Sequence, residues 1–106
     1  MKKLEILKVS FILRSDKKNS GSSPVIMQLY LSGRRAYIGT GHKVNFDEWD
    51  SNFGRVKGSS KKVSTINLHL DTMKMDVLQI FHTMKANQED ITVDEIRNRL
   101  MGKDEV

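Results

Sequence analysis

Apolar and polar residues alternate along the first forty positions. Leu7, Val9, Phe11 and Leu13 share one parity, with Lys8, Ser10, Ile12 and Arg14 on the other. Val25, Met27, Leu29 and Leu31 repeat the pattern against Ile26, Gln28, Tyr30 and Ser32. A shorter run from Arg35 to Thr40 sets Ala36 and Ile38 against Arg35 and Tyr37. Side chains on a strand point alternately to its two faces, so a period of two marks a strand buried on one side. Ser32-Gly33-Arg34 reads as a tight hairpin between the second and third runs, with Gly33 supplying a positive φ. The polar stretch from Ser15 to Ser23 is a longer hairpin loop, and Pro24 opens the second strand. The expectation is a three-stranded antiparallel meander over about residues 6–40 with one aliphatic face.

The period then changes. Val63, Ile66, Leu70, Met73, Val77, Ile80 and Met84 fall three and four residues apart, Phe81 widens the stripe, and neither Gly nor Pro interrupts Lys61 to Asn87. One helix over about 62–86, roughly 36 Å long, is predicted. The same spacing fits a coiled coil, but a meander with a bare aliphatic face lies just upstream and uses the same stripe. In the Trp-containing loop 41–61, Asn45 is expected to cap a single helical turn with Glu48 as its partner, and Trp49 to anchor the loop against the end of the sheet. Beyond the polar break Asn87–Asp90, Thr92 and Glu95 form a capping box with Ile91 and Ile96 as its hydrophobic staple. A short helix from Val93 to about Met101 follows, ended by Gly102. Its Val93, Ile96 and Leu100 either fold back on the long helix or meet a partner beyond Val106. The fold class is therefore α+β: a three-stranded antiparallel β-meander covered on one face by a long α-helix, plus a short C-terminal helix. One domain is expected over 1–90, with 91–106 as the short helix and the start of a linker.

Composition narrows the chemistry. The 106 residues are 38% hydrophobic and 29% charged, an ordinary globular mix for one small domain. The absence of cysteine removes disulfide scaffolds, thiolate metal sites and cysteine nucleophiles, and a cytoplasmic location is expected. Met1 to Leu13 is broken by Glu5 and Lys8, so it is not expected to act as a signal peptide. The net charge of +5 is unevenly spread. Thirteen Lys/Arg against five Asp/Glu leave +8 over residues 1–62, while five against eight leave −3 over 63–106. The positive field belongs to the strands.

Covalent chemistry finds little support. His42, His69 and His82 are isolated in sequence and none falls in a metal-ligand spacing, so no metal and no cofactor are expected. Gly54-Arg-Val-Lys-Gly58-Ser-Ser lacks the lysine and the spacing of a P-loop. Asp47, Glu48 and Asp50 beside Trp49 read as cap and surface charges rather than an acid–base pair. Binding is better supported. With the aliphatic face covered, the opposite face presents Arg14, Gln28, Tyr30, Arg35 and Tyr37 along with Ser10, Ile12 and Ile26. Arginine and glutamine match guanine and adenine edges, and aromatic rings pack on sugars or methyls. Lys17, Lys18, Arg34 and Lys43 in the surrounding loops suit flanking phosphates. A helix-mediated protein-interaction module and an RNA-binding domain are the alternatives.

The ordered features are Val9-Ser-Phe-Ile-Leu-Arg14, the hairpin Pro24 to Arg35, Ile38-Gly-Thr-Gly41, Val44, Trp49-Asp50, Gly54-Arg-Val-Lys-Gly58, Ile66-Asn67 with Leu70, and Ile91-Thr92 through Ile96 and Leu100. Together, over about residues 8–102, they resemble the N-terminal arm-type DNA-binding domain of tyrosine recombinases, the integrases of phages and conjugative transposons. The resemblance implies a sheet that docks its exposed face into the major groove of double-stranded arm-site DNA, with Arg14, Gln28, Tyr30, Arg35 and Tyr37 facing the groove. It also implies a non-catalytic module. Such integrases cut DNA with a tyrosine supported by arginines, a lysine and a His-x-x-Arg segment in a later domain, whereas His42, His69 and His82 are followed three positions on by Asn45, Thr72 and Lys85. The chain is then expected to be a monomeric N-terminal piece of a longer recombinase. Such a piece would meet other integrase protomers through further domains, with no membrane partner.

Overall fold

The computed structural model describes residues 6–14 and 21–102. Their elements run β1 (Lys8–Leu13), β2 (Ser22–Leu31), β3 (Arg34–Asn45), a 3-10 turn (Phe46–Glu48), β4 (Trp49–Asp50), β5 (Arg55–Val56), α1 (Lys61–Ala86) and α2 (Val93–Leu100). The first three strands form an antiparallel sheet in the order β1-β2-β3, and β4 pairs with β5 in a separate two-stranded ribbon. The α+β architecture read from the alternation and the helical stripe is the architecture observed.

The aliphatic face of the meander lies under α1 as its period demands. Val25, Met27, Leu29, Leu31, Ala36 and Ile38 are buried, and Val9, Phe11 and Leu13 on the edge strand are half-buried. From α1, Leu70, Val77, Phe81 and Met84 descend onto them. The coiled-coil reading of the stripe thus gives way to burial within the chain. At one end Val93 and Ile96 of α2 join Phe81, Met84, Leu29 and Leu31 in one cluster. The short helix therefore folds back on this domain. At the other end Trp49 packs with Val25, Val44, Val56 and Leu70, the anchoring role expected of it.

The turn between β2 and β3 is tighter than the expected three residues. Leu31 pairs directly with Arg34, and Ser32 and Gly33 take φ of 52° and 81°. Two positive φ values define the turn whose twist matches that of the flanking strands. Two other expectations are corrected. First, β3 does not stop at Thr40. The register jumps from Ile26↔Gly39 to Pro24↔Lys43, so Thr40, Gly41 and His42 bulge opposite Val25 and pairing then resumes as far as Asn45. The Val25 carbonyl exposed by the bulge accepts a bond from the buried Thr40 hydroxyl at 2.9 Å. Second, Asn45 does not cap the following turn with its side chain. It is still a rung of β3, paired with Ser22, and the turn closes instead through the Trp49 amide donating to the Phe46 carbonyl.

The β4–β5 ribbon had no signal in the hydrophobic pattern. Asp50 builds its tip, its Oδ1 accepting from the amides of Asn52 at 3.0 Å and Phe53 at 3.1 Å. Gly54 follows with φ of 66°, and a Cβ there would lie 3.3 Å from the Phe11 carbonyl oxygen, so the ribbon presses on β1 through a bare backbone. Asn67 of α1 holds the far strand: its Oδ1 accepts from the Val56 amide at 2.9 Å and its Nδ2 donates to the Val56 carbonyl at 3.0 Å. A buried side-chain amide thereby supplies the pairing that a third ribbon strand would give. Both helix starts are capped as their sequences indicate, Ser60 Oγ accepting from Val63 and Thr92 Oγ1 from Glu95.

Candidate nucleic-acid interface

The register turns the outer sheet face into a grid. Directly opposed residues in an antiparallel sheet point the same way, so each set of partners forms a rung across the strands. Lys8, Tyr30 and Arg35 make the first rung, Ser10, Gln28 and Tyr37 the second, and Ile12, Ile26 and Gly39 the third. Pro24 and Lys43 continue the grid past the bulge, with Arg14 joined to Pro24 through its amide at 2.9 Å. Rungs repeat at about 7 Å, so the grid from Pro24 to Tyr30 is about 20 Å long. Neither 8–14 nor 22–45 contains an aspartate or glutamate, so no carboxylate from these strands offsets the cations.

Gln28, Tyr30, Arg35 and Tyr37 therefore come together as a contiguous block on adjacent rungs. The Arg35 guanidinium carbon sits 5.4 Å from the Tyr30 ring centroid, a cation–π pair that pre-orients the arginine. Tyr37 is 50% exposed, which leaves its ring free to meet a partner. Arg14 and Lys43 stand exposed at the far end of the same face. Arg34, one residue before Arg35, has the opposite parity and projects at the hairpin end instead of joining the grid. Lys17 and Lys18 lie outside the described residues.

Two lysines were missed by the reading from sequence. Lys8 shares a rung with Tyr30 and Arg35, a position its parity already implied. Lys74 of α1 lines, with Lys8, Ser10, Gln28, Tyr30 and Arg35, an open trough of about 820 Å³ that passes over the β1 edge. Only the packing of helix on sheet brings Lys74 there.

The histidines are not all isolated. His42 of β3 and His69 of α1 meet with Nε2 and Nδ1 2.7 Å apart and ring planes at 75°. Burial, and then the neighbouring His69, hold the His42 pKa below its ordinary value of 6.5. The contact links sheet and helix on the covered side, away from the grid. Among the described residues no group of three or more His, Cys, Asp or Glu converges as a metal site. No helix among them is long and apolar enough to cross a membrane. Near α2, Arg99 donates to Glu89 at 2.7 Å and to Glu95 at 3.1 Å. The bonds from Arg99, then Asn87, hold the Glu89 pKa below its usual value. This exposed network ties α2 to the turn between the helices.

The molecule is a three-stranded sheet with one face sealed by a helix and the other studded with arginine, glutamine and tyrosine and free of acids from its strands. Residues 11–97 match the family model described as the Arm DNA-binding domain, and the chain belongs to that family of DNA-binding domains. No curated protein and no solved structure matches it.

Proposed function

We propose that the outer sheet face enters the major groove of duplex DNA and reads sequence there. Arg35, Gln28, Tyr30 and Tyr37 contact base edges and sugars, while Arg14, Lys17, Lys18, Arg34 and Lys43 position the sheet on phosphates. The observation that carries this reading is the grid itself. Residues far apart in sequence converge on adjacent rungs with the donors and acceptors that base edges require. Family membership supplies DNA as the partner. In the same reading the module serves a tyrosine recombinase, tethering it as a monomer to accessory arm sites while other domains join protomers and cut DNA.

Arg35→Glu and Tyr37→Ala test the surface. Both side chains are exposed, so thermal stability should stay within about 0.5 kcal/mol of the parent. Duplex affinity should fall at least tenfold for Arg35→Glu, which loses a bidentate donor and gains repulsion. Unchanged affinity in both variants would remove the sheet face as the reading surface. Preference for single-stranded RNA over duplex DNA in direct competition would favour an RNA-binding module instead.

A further inference from the structure

Neither a left-handed φ nor a close contact requires glycine at position 39, the last paired residue before the bulge of Thr40 to His42. Its φ lies outside the left-handed region, it pairs with Ile26 inside the ladder, and an added Cβ would meet no atom within 4 Å. A glycine within a strand forfeits side-chain packing and backbone entropy, and it marks a bulge or the close approach of another surface. Gly39 shares its rung with Ile12 and Ile26, so two isoleucines stand beside a stretch of bare backbone on an otherwise polar and cationic face. Ile12 remains 38% exposed.

The chemistry around this step limits what fits it. No side chain on the rung carries a hydrogen-bonding group, so it cannot read the donors and acceptors of a base edge. Ser10, Gln28 and Tyr37 border it on one side, Arg14 and Lys43 on the other, and strands β1 to β3 carry no acid. An apolar group projecting from a polyanion is the matching partner. On the floor of the DNA major groove that group is the C5-methyl of thymine.

We propose that Ile12, Ile26 and Gly39 form a thymine-methyl reader, which rests on the reading of the sheet face given above. The isoleucines pack on the methyl and Gly39 lets the sheet approach the groove floor at that rung. The thymine lies within about two base pairs of the edge met by Gln28, since adjacent rungs are about 7 Å apart.

The test uses a duplex selected by the whole chain from a randomised pool, with each thymine of the selected sequence replaced in turn by deoxyuridine. Deoxyuridine removes only the methyl and keeps the pairing edge. At one or two positions affinity should fall about fourfold, the effect of returning one methyl to water. In Ile12→Ala and Ile26→Ala proteins that penalty should shrink to less than twofold. Gly39→Ala should melt no lower than the parent yet bind the duplex several-fold more weakly. If no thymine responds in the wild-type protein, or the response persists in full in both isoleucine variants, the proposal is overturned. Gly39→Ala that binds like the parent removes the close approach. Arg35→Glu on the same duplex separates the two claims: weakened binding with silent thymines sinks the methyl reader alone, whereas unchanged binding sinks the sheet-face reading with it.

Discussion

One buried amide joins the small ribbon to the long helix, alongside the exposed Arg55–Asp71 ion pair at 3.4 Å and the packing of Val56 on Leu70. Asn67 satisfies both the amide and the carbonyl of Val56 from a buried position. Truncation leaves two backbone groups without their partner, at about 1–3 kcal/mol for each one that water does not reach. Asn67→Ala should therefore cost about 2–4 kcal/mol in a urea titration, and a loss under 0.5 kcal/mol would contradict the clamp. The His42–His69 contact makes a second claim at this scale. Because the His42 pKa is lowered in the folded chain, the unfolded chain takes up that proton first as pH falls below 6.5. Stability contributed at neutral pH is then lost between 6.5 and the lower folded-state pKa. His42→Gln should flatten the fall in stability between about pH 7 and pH 5, and equal slopes for both proteins would rule the contribution out. Neither contact announced itself in the sequence. Twenty-seven positions separate the histidines, and Asn67 follows Ile66 of the apolar stripe without any local partner. By contrast Gln28, Tyr30, Arg35 and Tyr37 were legible, because strand parity alone decides their face.

Strands and helices were legible to the degree that they were long. Ten residues of β2 and 26 of α1 carry several periods each, whereas β4 and β5, two residues apiece, carry none. The extension of β3 was hidden for a different reason. The bulge opposite Val25 interrupts the ladder at Gly-Thr-Gly, where sequence alone indicates a strand end. It is the Thr40 hydroxyl, a tertiary contact, that repairs it. The end of α1 also departs from a common pattern. Gln88 takes φ of 57°, with its amide donating to Lys85 and that of Glu89 to Met84. This is the bonding of a helix end that usually places glycine at the left-handed position. Gln88→Gly should raise stability by about 1 kcal/mol, since a side chain in that conformation costs about 1–2 kcal/mol. A lower denaturation midpoint would show that Gln88 makes contacts which offset its strain.

The whole molecule separates its tasks by face and by charge. One side of the sheet is sealed by α1 and α2, and the other is left open. Residues 8–14 and 22–45 of the sheet carry five Lys/Arg and no Asp/Glu, whereas four Lys/Arg against six Asp/Glu leave −2 over 63–102 of the helical part. In the proposed reading, this charge separation draws DNA to the open face and away from the helical one. The outward face of α1, with Leu68 and Met75 exposed and His82 one heptad further on, is the surface a protein-interaction module would use instead. Titrating isotope-labelled protein with duplex DNA and following backbone amide shifts decides between the two faces most directly. The proposed sheet-face interface predicts the largest changes at Ser10, Gln28, Tyr30, Arg35, Tyr37 and Gly39. Changes centred on Leu68, Met75 and His82, with those sheet positions unmoved, would contradict it.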